Sequence, residues 1–255
     1  MSYQGTLKRE RRLVLWAMIS LAALAWAYTV YLGVQHQSMV GTMATPMMMM
    51  QWSTADVIFM FFMWAVMMFA MMLPSVTPTV LIFGRVREKR EVAGQIFAPT
   101  GAFVVGYLLV WAGFSLLATA ANWSLHTGGL MSSIMGNVGP QTGGLFLVAA
   151  GGFQFTPLKN ACLDHCRSPM SFLMHHWREG SSGAVFMGLH HGIYCLGCCW
   201  FLMLLLFVLG VMNLPWVALL TIIVLVEKVM PRGEILCRGL GVLLIGWGAW
   251  LIIAG

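Results

Sequence analysis

Charge is what this sequence has least of. Only 9% of its 255 residues are Asp, Glu, Lys or Arg, whereas a soluble domain of this length carries about 25%, so no water-facing surface can be built from them. Acidic residues are the scarcest, 8 against 14 Lys and Arg. The resulting net charge of +6 is too small and too scattered to form a phosphate-tracking face, which excludes a nucleic-acid binder. A G-x-x-x-x-G-K-[ST] loop is missing, so this chain does not hydrolyse ATP. Internal repeats and long linkers are missing too, and a single domain over residues 1–255 is the simplest organisation.

What is abundant is apolar: 60% hydrophobic residues and a mean hydropathy of +0.83. A helix crossing about 30 Å of hydrocarbon needs about 20 such residues. Segments approaching that length run Leu13 to Val34, Ala55 to Leu73, Pro99 to Ala121, Thr142 to Pro157, Ala184 to Val211, Leu214 to Met230 and Ile235 to Ala254. The sequence therefore predicts an all-α polytopic transmembrane helical bundle of about seven spans, in contact with the lipid bilayer. The fourth and sixth are short, so six spans with a re-entrant piece is the alternative. With seven alternating crossings every Lys and Arg falls on one side, from Lys8, Arg9, Arg11 and Arg12 through Arg85 to Arg90, Lys159, Arg167 and Arg178 to Lys228, Arg232 and Arg238. The positive-inside rule makes that side, and the N-terminus, cytoplasmic. Tyr28, Tyr31, Trp52, Trp123, Trp216 and Trp250 fall near the opposite interface, where amphipathic rings prefer to sit. Ala25 and Ala27 form an A-x-A after a basic start, but the first apolar stretch is too long for a signal peptide and is read as a mature span.

No carboxylate or guanidinium is expected deep in a span, since Asp56 lies near the outer end of the second and Glu227 near the inner end of the sixth. Ion-coupled transporters commonly place such groups inside the membrane, so a pump of that design is disfavoured.

The remaining unusual residues are soft donors: six Cys, seven His and 22 Met. In the fifth span His191, Cys195 and Cys198 stand at i, i+4 and i+7, one stripe of a helix, with Cys199 flanking them and His190 turned off it. Thiols and imidazole on one stripe are a partial ligand set for copper(I) or zinc. The stripe lies nearer the inner face, because Cys195 is about 16 Å from Ala184 and about 24 Å from Val211 along the helix. After the fourth span Cys162 and Cys166 share a face if that segment is helical, beside His165, with Lys159 and Arg167 placed to favour thiolates. A reducing cytoplasm disfavours a disulfide there. In the second span Met67/Met71 and Met68/Met72 are i, i+4 thioether pairs, which suit copper(I) and hold zinc poorly, although Met also serves simply as adaptable packing. A further set, His36, Met39, Met43 and Met47 to Met50, with His126, Met131 and Met135 in the next outer loop, is expected outside and suited to capturing copper.

The combination of Ala70-Met71-Met72-Leu73-Pro74-Ser75, Thr156-Pro157-Leu158-Lys159 followed by Cys162 and Cys166-Arg167-Ser168-Pro169, and Gly188 to Trp200 resembles a bacterial family of unknown function described as predicted metal-binding integral membrane proteins. The resemblance runs from about the second span to Lys228. It implies a multi-pass protein of the bacterial inner membrane with a metal site at the matching positions, and supplies no activity. The leading expectation is a bundle that binds copper(I), or zinc or another soft transition metal, through His190, His191, Cys195, Cys198 and Cys199, with Cys162 and Cys166 as a cytoplasmic acceptor station and Met67, Met68, Met71 and Met72 as thioether contacts. It would serve copper handling or delivery to a soluble metal-accepting protein. Two alternatives stay open: a membrane oxidoreductase using the bound metal or the Cys195/Cys198 dithiol, and a metal-binding subunit working with other membrane subunits.

Overall fold

The computed structural model describes residues 3–42, 53–92, 98–129, 139–230 and 233–254, with the side chains of the first stretch described over 12–35. The side chains of the outer set, His36, Met39, Met43, Met47 to Met50, Met131 and Met135, lie outside the described residues. Among the described residues every regular element is a helix: α1 (Tyr3–Thr42), α2 (Thr54–Val92), α3 (Thr100–Thr127), α4 (Pro140–Phe153), α5 (Pro157–Arg167), α6 (Pro169–His175), α7 (Gly180–Leu204), α8 (Leu206–Leu209), α9 (Leu214–Val229) and α10 (Gly233–Ala254).

Five stretches are long and apolar enough to cross a membrane: Arg12–Gln35, Thr54–Val92, Thr100–Thr127, Gly180–Leu209 and Gly233–Ala254. The fourth and sixth expected spans are helices of 14 and 16 residues, which at 1.5 Å per residue reach only about 21 and 24 Å. Leu109, Leu116, Leu117, Val242, Leu243 and Ile253 are exposed around the outside, as a lipid-facing surface requires. Tyr28, Tyr31, Trp123 and Trp250 are exposed as well.

The centre is α2, whose Met60, Met63, Trp64, Met67, Met68, Met71 and Met72 are all buried. It does not stop near Leu73 but continues past Pro74 and Pro78 to Val92. Each proline removes a backbone donor from the helix ladder, and hydroxyls crowd the carbonyls around the break: Ser75 Oγ donates to the Met72 carbonyl at 2.9 Å and Thr77 Oγ1 to the Leu73 carbonyl at 2.8 Å.

Glycines set the closest helix approaches. A Cβ on Gly188 of α7 would come within 2.0 Å of the Phe103 carbonyl of α3, and one on Gly106 of α3 within 2.1 Å of the Val185 carbonyl. The pair α4 and α10 is built likewise, Gly144 against the Gly248 carbonyl and Gly151 against that of Gly241. Small residues let backbones meet where no hydrophobic effect drives helices together. The segment between α4 and α7 opens with Thr156, whose Oγ1 accepts from the Lys159 amide, and Pro157 at the first helical position, which starts α5 as soon as α4 has ended.

Candidate metal centre

Helix α5 turns Lys159, Leu163 and Cys166 inward, at i, i+4 and i+7. Helix α7 turns His191, Cys195, Cys198 and Cys199 inward, three of these being the stripe expected from sequence. Where the two faces meet, buried Cys166 of α5 comes up to the side of α7 that carries buried Cys195, Cys198 and Cys199. Cys162 sits one turn out, its sulfur packed on the Gly197 backbone, where a Cβ would lie 2.7 Å away. Burial, more than the neighbouring Cys198, raises the Cys162 thiol above its ordinary value, so it is a thiol rather than a thiolate at neutral pH. All six cysteines are free.

The thiols are held by internal partners. Cys198 Sγ and Cys199 Sγ each donate to the Cys195 carbonyl at 3.0 Å. Cys195 Sγ lies 3.0 Å from the Tyr107 hydroxyl of α3 and 2.8 Å from Lys228 Nζ of α9. Lys228 also donates to Ser75 Oγ at 3.1 Å, and Ser75 reaches Met72 Sδ at 4.0 Å. Helices α3, α7 and α9 thus meet at one sulfur, and α2 joins them through Ser75 on Lys228. Among the described residues no group of three or more His, Cys, Asp or Glu stands as a ready-made ligand set.

A second polar knot lies beside this one. Lys159 Nζ bonds both Glu227 oxygens, at 3.0 and 2.9 Å, and also donates to Gln154 Oε1, with Lys159 fully buried and Glu227 nearly so. It pins α5 to α9. The Arg167 guanidinium donates to the Met230 carbonyl, closing the same end.

These contacts correct three expectations. Lys159 and Lys228 are interior groups, not solvated marks of topology, and Glu227 is buried rather than at a wet helix end. The cation that reaches a thiol is Lys228; Lys159 is committed to Glu227 and Arg167 to a carbonyl. His190 does not join the thiols, its ring lying 4.7 Å from that of His176 and 4.9 Å from that of Tyr194. His191 does face inward, packed among Phe103, Tyr107 and Phe172, with its buried Nδ1 lacking a hydrogen-bond partner. Of the four methionines, Met72 is tied to the cluster through Ser75 and through its carbonyl, 3.4 Å from the Tyr107 hydroxyl; Met67, Met68 and Met71 fill the buried face of α2.

Tyr107 and Ser75 were missed by sequence reasoning. A phenol in the middle of an apolar span, away from either interface, was the available signal for Tyr107. For Lys228 it was a Glu-Lys pair ending a span several residues too short.

No curated protein and no solved structure matches the chain. A family model, PpoB2, described as a copper chaperone, matches residues 61–251, which takes in α2 to α10 and every cysteine discussed above. With that match covering well over half of its length, the chain belongs to the PpoB2 copper chaperone family.

Proposed function

We propose that the chain carries copper(I) as cargo on the thiols where α5 meets α7, and passes it to an acceptor protein. The observation that carries this reading is the convergence of Cys166 with Cys195, Cys198 and Cys199 from segments far apart in sequence. Thiolates and thioethers are the donors that favour copper(I) over harder ions, and the orphaned Nδ1 of His191 adds an imidazole donor at the same level. Cys162, half-buried at the rim, is the exchange position, and the thioethers of Met67, Met68, Met71 and Met72 line the approach along α2. Lys228 and Tyr107 hold Cys195 while the site is free of metal; copper displaces them, and the displaced ammonium then faces the bound thiolates as a counter-charge.

The same reading places the protein in the bacterial inner membrane with seven crossings, α4 and α9 among them, and the N-terminus inside. Contacts at one end support this, since Arg90 lies over the Trp177 ring at 4.8 Å, Arg178 over Phe186 at 3.8 Å and Arg167 on Met230. Basic residues from α2, α5 and the turn before α7 therefore gather together, as an inner face requires.

The test is elemental analysis of protein purified anaerobically under reducing conditions. Stoichiometric copper in the wild type, lost in Cys195→Ser/Cys198→Ser, is the expected result. Equal copper in both would overturn the site. No metal in either, with reversible oxidation of Cys195 and Cys198, would favour the dithiol oxidoreductase instead.

A further inference from the structure

Beside the thiols, on the next strip of α5 and α7 and at the end of α6, the imidazoles assemble. His165 of α5 stacks on Tyr194 of α7 with ring centroids 4.1 Å apart and planes within 9°. From Tyr194 the contacts run 4.9 Å to His190 and 4.7 Å from His190 to His176. Phe172 closes the floor, 5.6 Å from His190 and 5.2 Å from His176. An open pocket of about 280 Å³ reaches this row, lined by Asp164, His165, Ser171, His175 and His176.

Tautomers make the row chemically specific. Nδ1 of His165, His175 and His176 lies 2.8, 2.8 and 3.2 Å from the carbonyls of Ala161, Ser171 and Phe172. A carbonyl can only accept, so in the neutral ring Nδ1 carries the proton and Nε2 keeps its lone pair. A metal-binding histidine is prepared in this way, its second nitrogen donating to a carbonyl. His190 adds a buried Nδ1 with no partner at all. The donors are not converged in advance, which suits a transient stop more than a storage site.

Three members of the row adjoin a member of the thiol site: His165 precedes Cys166, His190 precedes His191 and Tyr194 precedes Cys195. Neighbours on a helix point about 100° apart, so the two sets occupy adjoining strips of α5 and α7.

We propose that His165, His176 and His190, with His175 at the rim, form a second, exchangeable transition-metal site that takes copper(I) through imidazole nitrogen and feeds the thiols. The direction of flow rests on the copper-cargo reading; binding by the imidazoles does not. The transfer is ligand exchange without redox change: a Cu–N bond breaks, a Cu–S bond forms, copper remains copper(I), and the thiol proton leaves to water.

Full-length protein in lipid nanodiscs, kept anaerobic, is loaded from the copper(I)–bicinchoninate complex, and loss of its colour reports rate and stoichiometry. Wild type is expected to take a tight equivalent and a weaker one. His165→Asn/His176→Asn/His190→Asn should keep the tight equivalent, lose the weaker one and load at least tenfold more slowly. Cys195→Ser/Cys198→Ser should keep the weaker one alone. Unchanged rate and stoichiometry in the triple histidine variant would overturn the proposal, as would a cysteine variant that binds no copper. If the triple variant loses both equivalents, the single substitution His176→Gln decides: loading slowed severalfold supports the site, and an unchanged rate overturns it. Wild type that lacks the tight equivalent, yet binds zinc(II) lost with the three histidines, would leave the imidazole site standing and remove the copper-thiol reading.

Discussion

Two stretches of α7 are built on opposite principles. At Gly188 and Gly192 it meets α3 directly: the Phe103 carbonyl occupies the space where a Gly188 side chain would begin, and Val110 crowds Gly192. Further along the helix, Cys195, Cys198 and Cys199 present thiols whose partners are the Tyr107 hydroxyl of α3, the Lys228 ammonium of α9 and the Cys195 carbonyl. The first stretch has no adjustable part. The second consists of side chains that exchange partners by small rotations. A carrier needs both, one stretch to fix the helix and another to let go of a metal, and this chain sets them end to end along one helix.

The rigid stretch is broken most easily. Gly188→Val sets a side chain against a backbone oxygen that cannot move away, and the loss of about 3 kcal/mol or more expected for such overpacking should leave little folded protein. Gly152→Ala, with open space around its Cβ, is the control and should change the melting temperature little. Thermal unfolding in detergent measures both, and equal stability of the two would contradict the description of this stretch.

On the adaptable side the largest effect should come from Glu227→Ala, which leaves the Lys159 ammonium buried without its counter-ion at a cost of about 3–5 kcal/mol. The pair replacement Lys159→Met/Glu227→Leu should recover most of that loss, because an uncharged interior replaces an orphaned charge. Denaturation of the three proteins checks it; a double variant no better than Glu227→Ala would show that the pair does more than satisfy itself. Smaller still is Tyr107→Phe, which removes one bond to Cys195 and should cost about 1 kcal/mol of stability. Its copper affinity, measured by chelator competition, should shift only severalfold, since the hydroxyl holds the metal-free site and donates no electron pair to copper.

Much of this was legible in the sequence, and the reasons are specific. The i, i+4, i+7 stripe of His191, Cys195 and Cys198 depends on helix periodicity alone, and α7 presents it inward as periodicity requires. Cys162 and Cys166 were expected to share a face if helical, and Thr156-Pro157 starts that helix. Hydropathy found the long spans but misjudged α2, because the prolines read as a stop lie inside a helix that runs on to Val92. Charges were the least legible. Lys159 and Lys228 look like interface residues in a string of letters, and only the packing of α9 against α5 and α7 gives each an interior partner. His190 was expected among the ligands yet one residue's rotation off the stripe, and that rotation brings it to a row of rings that no sequence pattern announced.

The central claim is that copper is held by sulfur from both α5 and α7. X-ray absorption at the copper edge of anaerobically loaded full-length protein tests it, with wild type compared against Cys166→Ser and Cys195→Ser/Cys198→Ser. The account predicts a copper(I) centre dominated by sulfur in the wild type, with fewer sulfur neighbours in Cys166→Ser and only nitrogen or oxygen in the double variant. A wild-type centre surrounded by nitrogen and oxygen alone, unchanged by either substitution, would contradict it.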